Sequence, residues 1–155
     1  MKGLMLMNIV KRISSIEPEI TTTADGVTTK ASISFLGKKY SGIAVLHPDD
    51  LEFQSQYIGA SIAHLRALRK CFKSLAEDYK KEYILIKDML GAAKQSKELK
   101  NVQKFLIHRM WKSYNKFQKL KNAEREITHS LKNYVKSQEK VFSIVHNLRA
   151  KQDKN

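Results

Sequence analysis

Between Thr28 and Phe35 the polar and apolar positions alternate, with Ala31, Ile33 and Phe35 on one face and Thr28, Lys30, Ser32 and Ser34 on the other. A period of two rich in β-branched residues predicts a half-buried strand. The segment Leu36-Gly37-Lys38-Lys39 reads as a hairpin connection, because glycine supplies the positive φ of tight turns, and Tyr40 to Leu46 reads as the return strand. Asp25-Gly26 marks a second turn, between Ile20–Thr23 and Val27–Thr29. These spacings predict a three-stranded antiparallel meander. Its first strand falls within roughly Ile9 to Thr23, and Pro18 gives it an edge position.

After Pro48-Asp49-Asp50 the period changes. The prolyl residue stops the strand, and the aspartates suit the positive N-terminus of a following helix. Ile58, Ile62, Leu65, Leu68, Phe72, Leu75, Tyr79, Tyr83, Ile86 and Leu90 recur in steps of three and four, a helical stripe that Gly91-Ala92-Ala93 ends or turns. A second stripe runs Val102, Leu106, Met110, Phe117, Leu120, Ile127, Leu131, Tyr134, Gln138, Val141, Val145 and Leu148, a coiled-coil-like pattern. One helix from Gln95 to Ala150 would extend roughly 85 Å at about 1.5 Å per residue. A compact chain of this size has a radius of gyration of only about 15 Å. The pattern therefore predicts either an elongated helical hairpin or a break near Asn122, beside the polar position Glu124, giving three helices. The fold class expected is α+β: residues 1–50 form a small antiparallel sheet packing on the start of the first helix, and residues 51–155 form a basic, proline-free helical region.

Charge follows the same division. Of 155 residues, 29 are Lys or Arg and 15 are Asp or Glu, a net +14. Residues 1–50 hold six basic and five acidic side chains, and residues 51–155 hold 23 and 10. So basic a chain fits acidic partners: nucleic acid, an anionic surface or an acidic protein. The apolar patch Leu4–Met7 is too short for a membrane span and lacks a signal-peptide cleavage site, so a cytoplasmic location with no membrane partner is expected. A single cysteine, Cys71, excludes an intramolecular disulfide framework and a cysteine zinc knuckle.

The clearest constellation is a row of basic residues, Lys97, Lys100, Lys104, His108, Lys112, Lys116 and Lys119, at steps of three and four. Val102, Leu106 and Met110 are offset from it by two positions, about 200° around a helix, so one face can pack while the other presents charge. Arg109, Lys121 and Arg125 widen this row. Such a row is either a solvated helix face or a phosphate-binding one. Arg66, Arg69, Lys70 and Lys73 form a second strip on the first helix, and arginine suits bidentate phosphate contacts. Trp111 and Tyr114 interleave with the lysines as candidates for stacking on unpaired bases, with helix-core packing as the other reading. His47-Pro48-Asp49-Asp50 reads as helix capping rather than a metal site, the remaining histidines show no HExxH spacing, and Cys71 reads as a packed thiol. No phosphate loop, nucleophile elbow or catalytic carboxylate pair occurs. The expectation is a protein without catalytic residues, metal or cofactor.

Gly37-Lys38-Lys39-Tyr40-Ser41-Gly42-Ile43-Ala44-Val45-Leu46-His47-Pro48-Asp49-Asp50, followed by Ile58-Gly59-Ala60-Ser61-Ile62-Ala63-His64-Leu65-Arg66-Ala67, resembles small bacterial and phage proteins of the double-stranded-RNA-binding-domain-like class. In these a β-hairpin ends in a Pro-Asp turn and leads into a helix of the form Ile-Gly-x-x-x-Ala-x-x-Arg-Ala. The resemblance spans residues 28–72. It implies an antiparallel sheet with one helix across it, close packing at Gly59, and a phage or mobile-element origin. Two functions follow as expectations. One is a nucleic-acid- or nucleoprotein-binding protein that meets duplex or structured RNA or DNA through phosphates. The other is a counter-defence inhibitor, anti-CRISPR-like, docking on a host nuclease complex mainly by protein contacts. A coiled-coil homodimer with a scaffolding role is a third option.

Overall fold

A computed structural model describes residues 8–46 and 56–153; the expected capping turn His47–Asp50 lies outside them. The elements in order are α1 (Ile9–Ser14), β1 (Glu19–Thr22), β2 (Thr28–Phe35), β3 (Lys38–Val45), α2 (Gln56–Ala93), a 3-10 turn (Lys97–Leu99) and α3 (Lys100–Gln152). The protein is α+β, a three-stranded antiparallel sheet of order β1-β2-β3 followed by long helices.

Three boundaries differ from the sequence pattern. Ile9–Ser14 is a helix and not part of the first strand, because the Asn8 side chain accepts from the Lys11 N–H and caps it. Strand β1 starts only at Glu19, directly after Pro18. β3 begins at Lys38 rather than Tyr40, because the turn is just Leu36-Gly37, with φ of 49° and 76° and Phe35 opposite Lys38. Two positive φ angles define the turn whose twist matches a hairpin, and here leucine occupies one of them. Finally, α3 runs unbroken through Asn122, which excludes the three-helix option. Asparagine within a helix costs only about 0.7 kcal/mol relative to alanine. That cost is offset at this point, where Ala123 is buried and Lys121 reaches Glu124 at 2.6 Å.

The chain forms two compact units. One joins Met1–Ser15 with Cys71–Glu124; the other joins Ile16–Lys70 with Arg125–Asn155. They cut across the 1–50 and 51–155 division because α2 and α3 each supply residues to both.

In the sheet unit, Thr29, Ala31, Ile33 and Phe35 of β2 and Tyr40 and Ala44 of β3 are buried on one face. The α2 segment lies against it through small residues: Ala31, Ala44 and Ala63 cluster, with Ile62 beside them. Backbone approach is closest at Gly42, where a Cβ would stand 2.0 Å from the Ala63 carbonyl oxygen and 2.6 Å from the Ala67 nitrogen. At Gly59 a Cβ would meet Thr29 Oγ1 at 2.9 Å, the close helix–sheet packing expected for that glycine. The Asp25-Gly26 turn is held by the Asp25 carboxylate, which accepts from the Thr23 hydroxyl and from the Val27 N–H at 3.0 Å, bonds that lower its pKa.

In the other unit α2 and α3 run antiparallel. Ile86, Leu90, Ala93 and Leu106 form a buried cluster with Met110 against it. Gln103 closes the connection by donating to the Ala93 and Ser96 carbonyls at 2.9 and 3.2 Å, each of which also accepts a backbone N–H, from Ser96 and Leu99. Ile13, Cys71, Phe72 and Leu120 are buried in the same unit.

Candidate nucleic-acid interface

The basic row lies within the helical-hairpin unit. Lys97 sits in the 3-10 turn, and Lys100, Lys104, His108, Lys112 and Lys119 are exposed along α3. Among the described residues, Lys97, Lys100, Lys104, Lys112 and Lys119 have no carboxylate partner. Their side chains are open to solvent and to an anion. The row is not straight. A step of four advances about 400°, so each i, i+4 pair drifts about 40° around the axis. From Lys100 to Lys116 the drift reaches about 160°, which turns Lys116 toward the other helix. There its ammonium donates to the Tyr79 hydroxyl at 3.4 Å and lies 4.9 Å from the ring centroid. Lys116 therefore belongs to the helical-hairpin packing and not to the exposed row.

The flanking cations are engaged too. Arg109 bridges to Glu82 at 3.1 Å, and Lys121 pairs with Glu124. The two aromatic candidates separate. Tyr114 is partly buried in a ring cluster, with Tyr83 at 5.3 Å, Phe117 at 6.3 Å and the edge of Trp111 at 5.8 Å. Trp111 remains 54% exposed among the lysines. Phe105, 61% exposed between Lys104 and His108, joins it on the solvent side. It was missed because it lies off the apolar stripe; its place one residue after Lys104 is the signal that could have found it.

The second strip has a different arrangement. Leu46 donates its N–H to the Val27 carbonyl, so even-numbered residues of β3 bond to β2 and odd-numbered ones point their carbonyls outward at the sheet edge. Arg66 donates to the Ile43 carbonyl and Lys70 to the Ser41 carbonyl at 2.8 Å. They cover an edge that would otherwise offer unpaired groups to another strand. Arg69 is exposed on the same helix segment, and Lys73, in the helical-hairpin unit, is exposed as well.

Cys71 is fully buried, and burial pushes its thiol up to about 11. His64 Nε2 is buried without a hydrogen-bond partner, and desolvation lowers its pKa. Among the described residues no three His, Cys, Asp or Glu side chains gather as metal ligands, and no helix is long and apolar enough to cross a membrane.

Fold and surface together define an α+β protein with one face of a helical hairpin strongly basic. Compared with protein-family models, curated proteins and solved structures, the chain matches none of them.

Proposed function

We propose that this is a non-enzymatic nucleic-acid-binding protein whose α3 face contacts phosphates. The observation that carries this reading is the set of five exposed lysines, Lys97, Lys100, Lys104, Lys112 and Lys119, without carboxylate partners among the described residues, with Trp111 and Phe105 exposed among them. A face kept charged only for solubility would mix signs. Here residues 94–124 hold nine basic and two acidic side chains. Lysine ammonium groups on a helix give positioning on a phosphate backbone without reading base sequence.

The test is fluorescence-anisotropy binding to duplex DNA, duplex RNA and single strands. With five phosphate contacts, duplex affinity should fall about 500-fold between 50 and 200 mM salt. The variant K100E/K104E/K112E should abolish binding with helicity intact, and K116E should not, because Lys116 faces Tyr79. Unchanged affinity in the triple variant, or no binding to any probe at 50 mM salt, refutes the proposal. A host protein retained after nuclease treatment would favour the inhibitor reading instead.

A further inference from the structure

The apolar seam of α3 outlasts the fold that covers it. Ile127, Leu131, Tyr134, Gln138, Val141, Val145 and Leu148 follow one another at steps of 4, 3, 4, 3, 4 and 3, the heptad spacing of a helix that packs on another helix. The first part of the seam is covered: Leu131 is buried, and Ile127 and Tyr134 are half-buried. Past Gln138 the cover ends. Val141 and Leu148 are 51 and 56% exposed, and Ile144, beside them on the helix, is 51% exposed. Positions i, i+3 and i+7 are those through which an amphipathic helix anchors on a partner.

The charge beside this open line has one sign. Lys140, four positions before Ile144, and Lys151, seven after it, lie within about 40° of it around the helix. Both are exposed, and neither has a carboxylate partner among the described residues. The acid of this stretch, Glu139, stands about 140° or more from all three exposed apolar residues.

We infer that the end of α3 is a docking helix for another protein, and that the partner presents an acidic amphipathic helix. The unbroken heptad step calls for a helix, and the unpaired lysines call for carboxylates at its rim. A second copy of this chain does not supply them. Residues 132–152 hold five basic side chains and one acidic, so self-pairing in either direction brings +4 onto +4 with Glu139 on the far side. A lipid surface fits less well, since a helix held there carries Trp, Phe or Leu on its apolar face, and this open line is mostly valine and isoleucine. The site shares no residue with the Lys97–Lys119 row, so it does not rest on the nucleic-acid reading.

The probe is a synthetic acidic helix of about three heptads, with Ile at a, Leu at d and Glu at e and g, whose own pairing the glutamates oppose. Titrated with the whole nuclease-treated chain, its fluorescence anisotropy should rise, and a peptide with Lys at e and g should not bind. V141E/L148E should weaken binding at least about 30-fold, by removing two apolar side chains that docking buries. K140A/K151A should weaken it about fivefold, as for two exposed ion pairs, and K132A, on the far side of the helix, should leave it unchanged. Circular dichroism should be the same in all three variants. No binding of the acidic peptide up to about 200 µM overturns the inference. So do equal binding of the basic peptide, an acidic-peptide affinity untouched by V141E/L148E, a dimer of the chain itself that V141E/L148E dissolves in sedimentation, and retention on phosphatidylserine vesicles that the same variant abolishes.

Discussion

Replacing Gly42 by alanine adds one methyl group where the helix–sheet packing has no room for it. The new Cβ would lie 2.0 Å from the Ala63 carbonyl oxygen, 2.6 Å from the Ala67 nitrogen and 2.7 Å from Arg66 Cβ. All three are backbone atoms or a Cβ, so no rotamer change relieves the contact. The α2 segment must retreat by about 1 Å or more, and a radial gap of 0.5–1 Å already forfeits a quarter to a half of each dispersion contact. The Ala31, Ala44 and Ala63 cluster would open, and the Arg66 and Lys70 bonds to β3 would stretch. Overpacking of this kind costs about 1–3 kcal/mol, and the rigidity of the neighbours sets the expectation at about 3. For a chain this long that lowers Tm by roughly 10 °C. Urea unfolding followed by circular dichroism measures it. The control is Gly91→Ala, where nothing stands within 4 Å and a helix-interior alanine should gain about 0.5–1 kcal/mol. A loss at Gly42 below 1 kcal/mol would refute the close-approach reasoning.

Two further outcomes concern titration. The folded state prefers the neutral Cys71 thiol, whose pKa rises from 9.0 to about 11. Its contribution is complete below pH 9 and declines as pH rises through 11, so Cys71→Ala should flatten the stability profile across that window, and the native thiol should react with a thiol reagent far more slowly than the unfolded chain. His64 has its pKa depressed from 6.5, so the stability it contributes is present above pH 6.5 and is lost as pH falls through its lower folded value. His64→Phe should remove that acid sensitivity, and an identical profile in the variant would show that His64 does not carry it.

The sheet and both long helices were legible because their periods are long and clean. The strand β2 alternates over eight residues, and the stripes of α2 and α3 persist for many turns. What escaped the pattern was decided by single contacts. The six-residue α1 depends on one Asn8 cap, and the continuity of α3 at Asn122 depends on a buried Ala123 that no periodicity rule weighs. Within the basic row, spacing located the exposed lysines but could not separate Lys116, whose place depends on Tyr79 37 residues away. Arg66 and Lys70 read as free cations for a similar reason, since their acceptors are backbone carbonyls of a strand 23 and 29 positions earlier.

The discontinuous makeup of the two units has a consequence for how the chain is made. The unit containing the sheet draws on Ile16–Lys70 and then on Arg125–Asn155, with the whole of the other unit's Cys71–Glu124 between them. On the ribosome, the meander can pair as soon as it emerges, but its unit stays incomplete until the residues after Glu124 have been synthesised. Contacts so distant in sequence close slowly, because loop entropy must be overcome before they form. No single cut releases either unit intact. Dividing the chain near residue 70 leaves both units in two pieces and dividing it near 124 leaves the sheet unit in two, so their parts are better probed by substitution than by truncation.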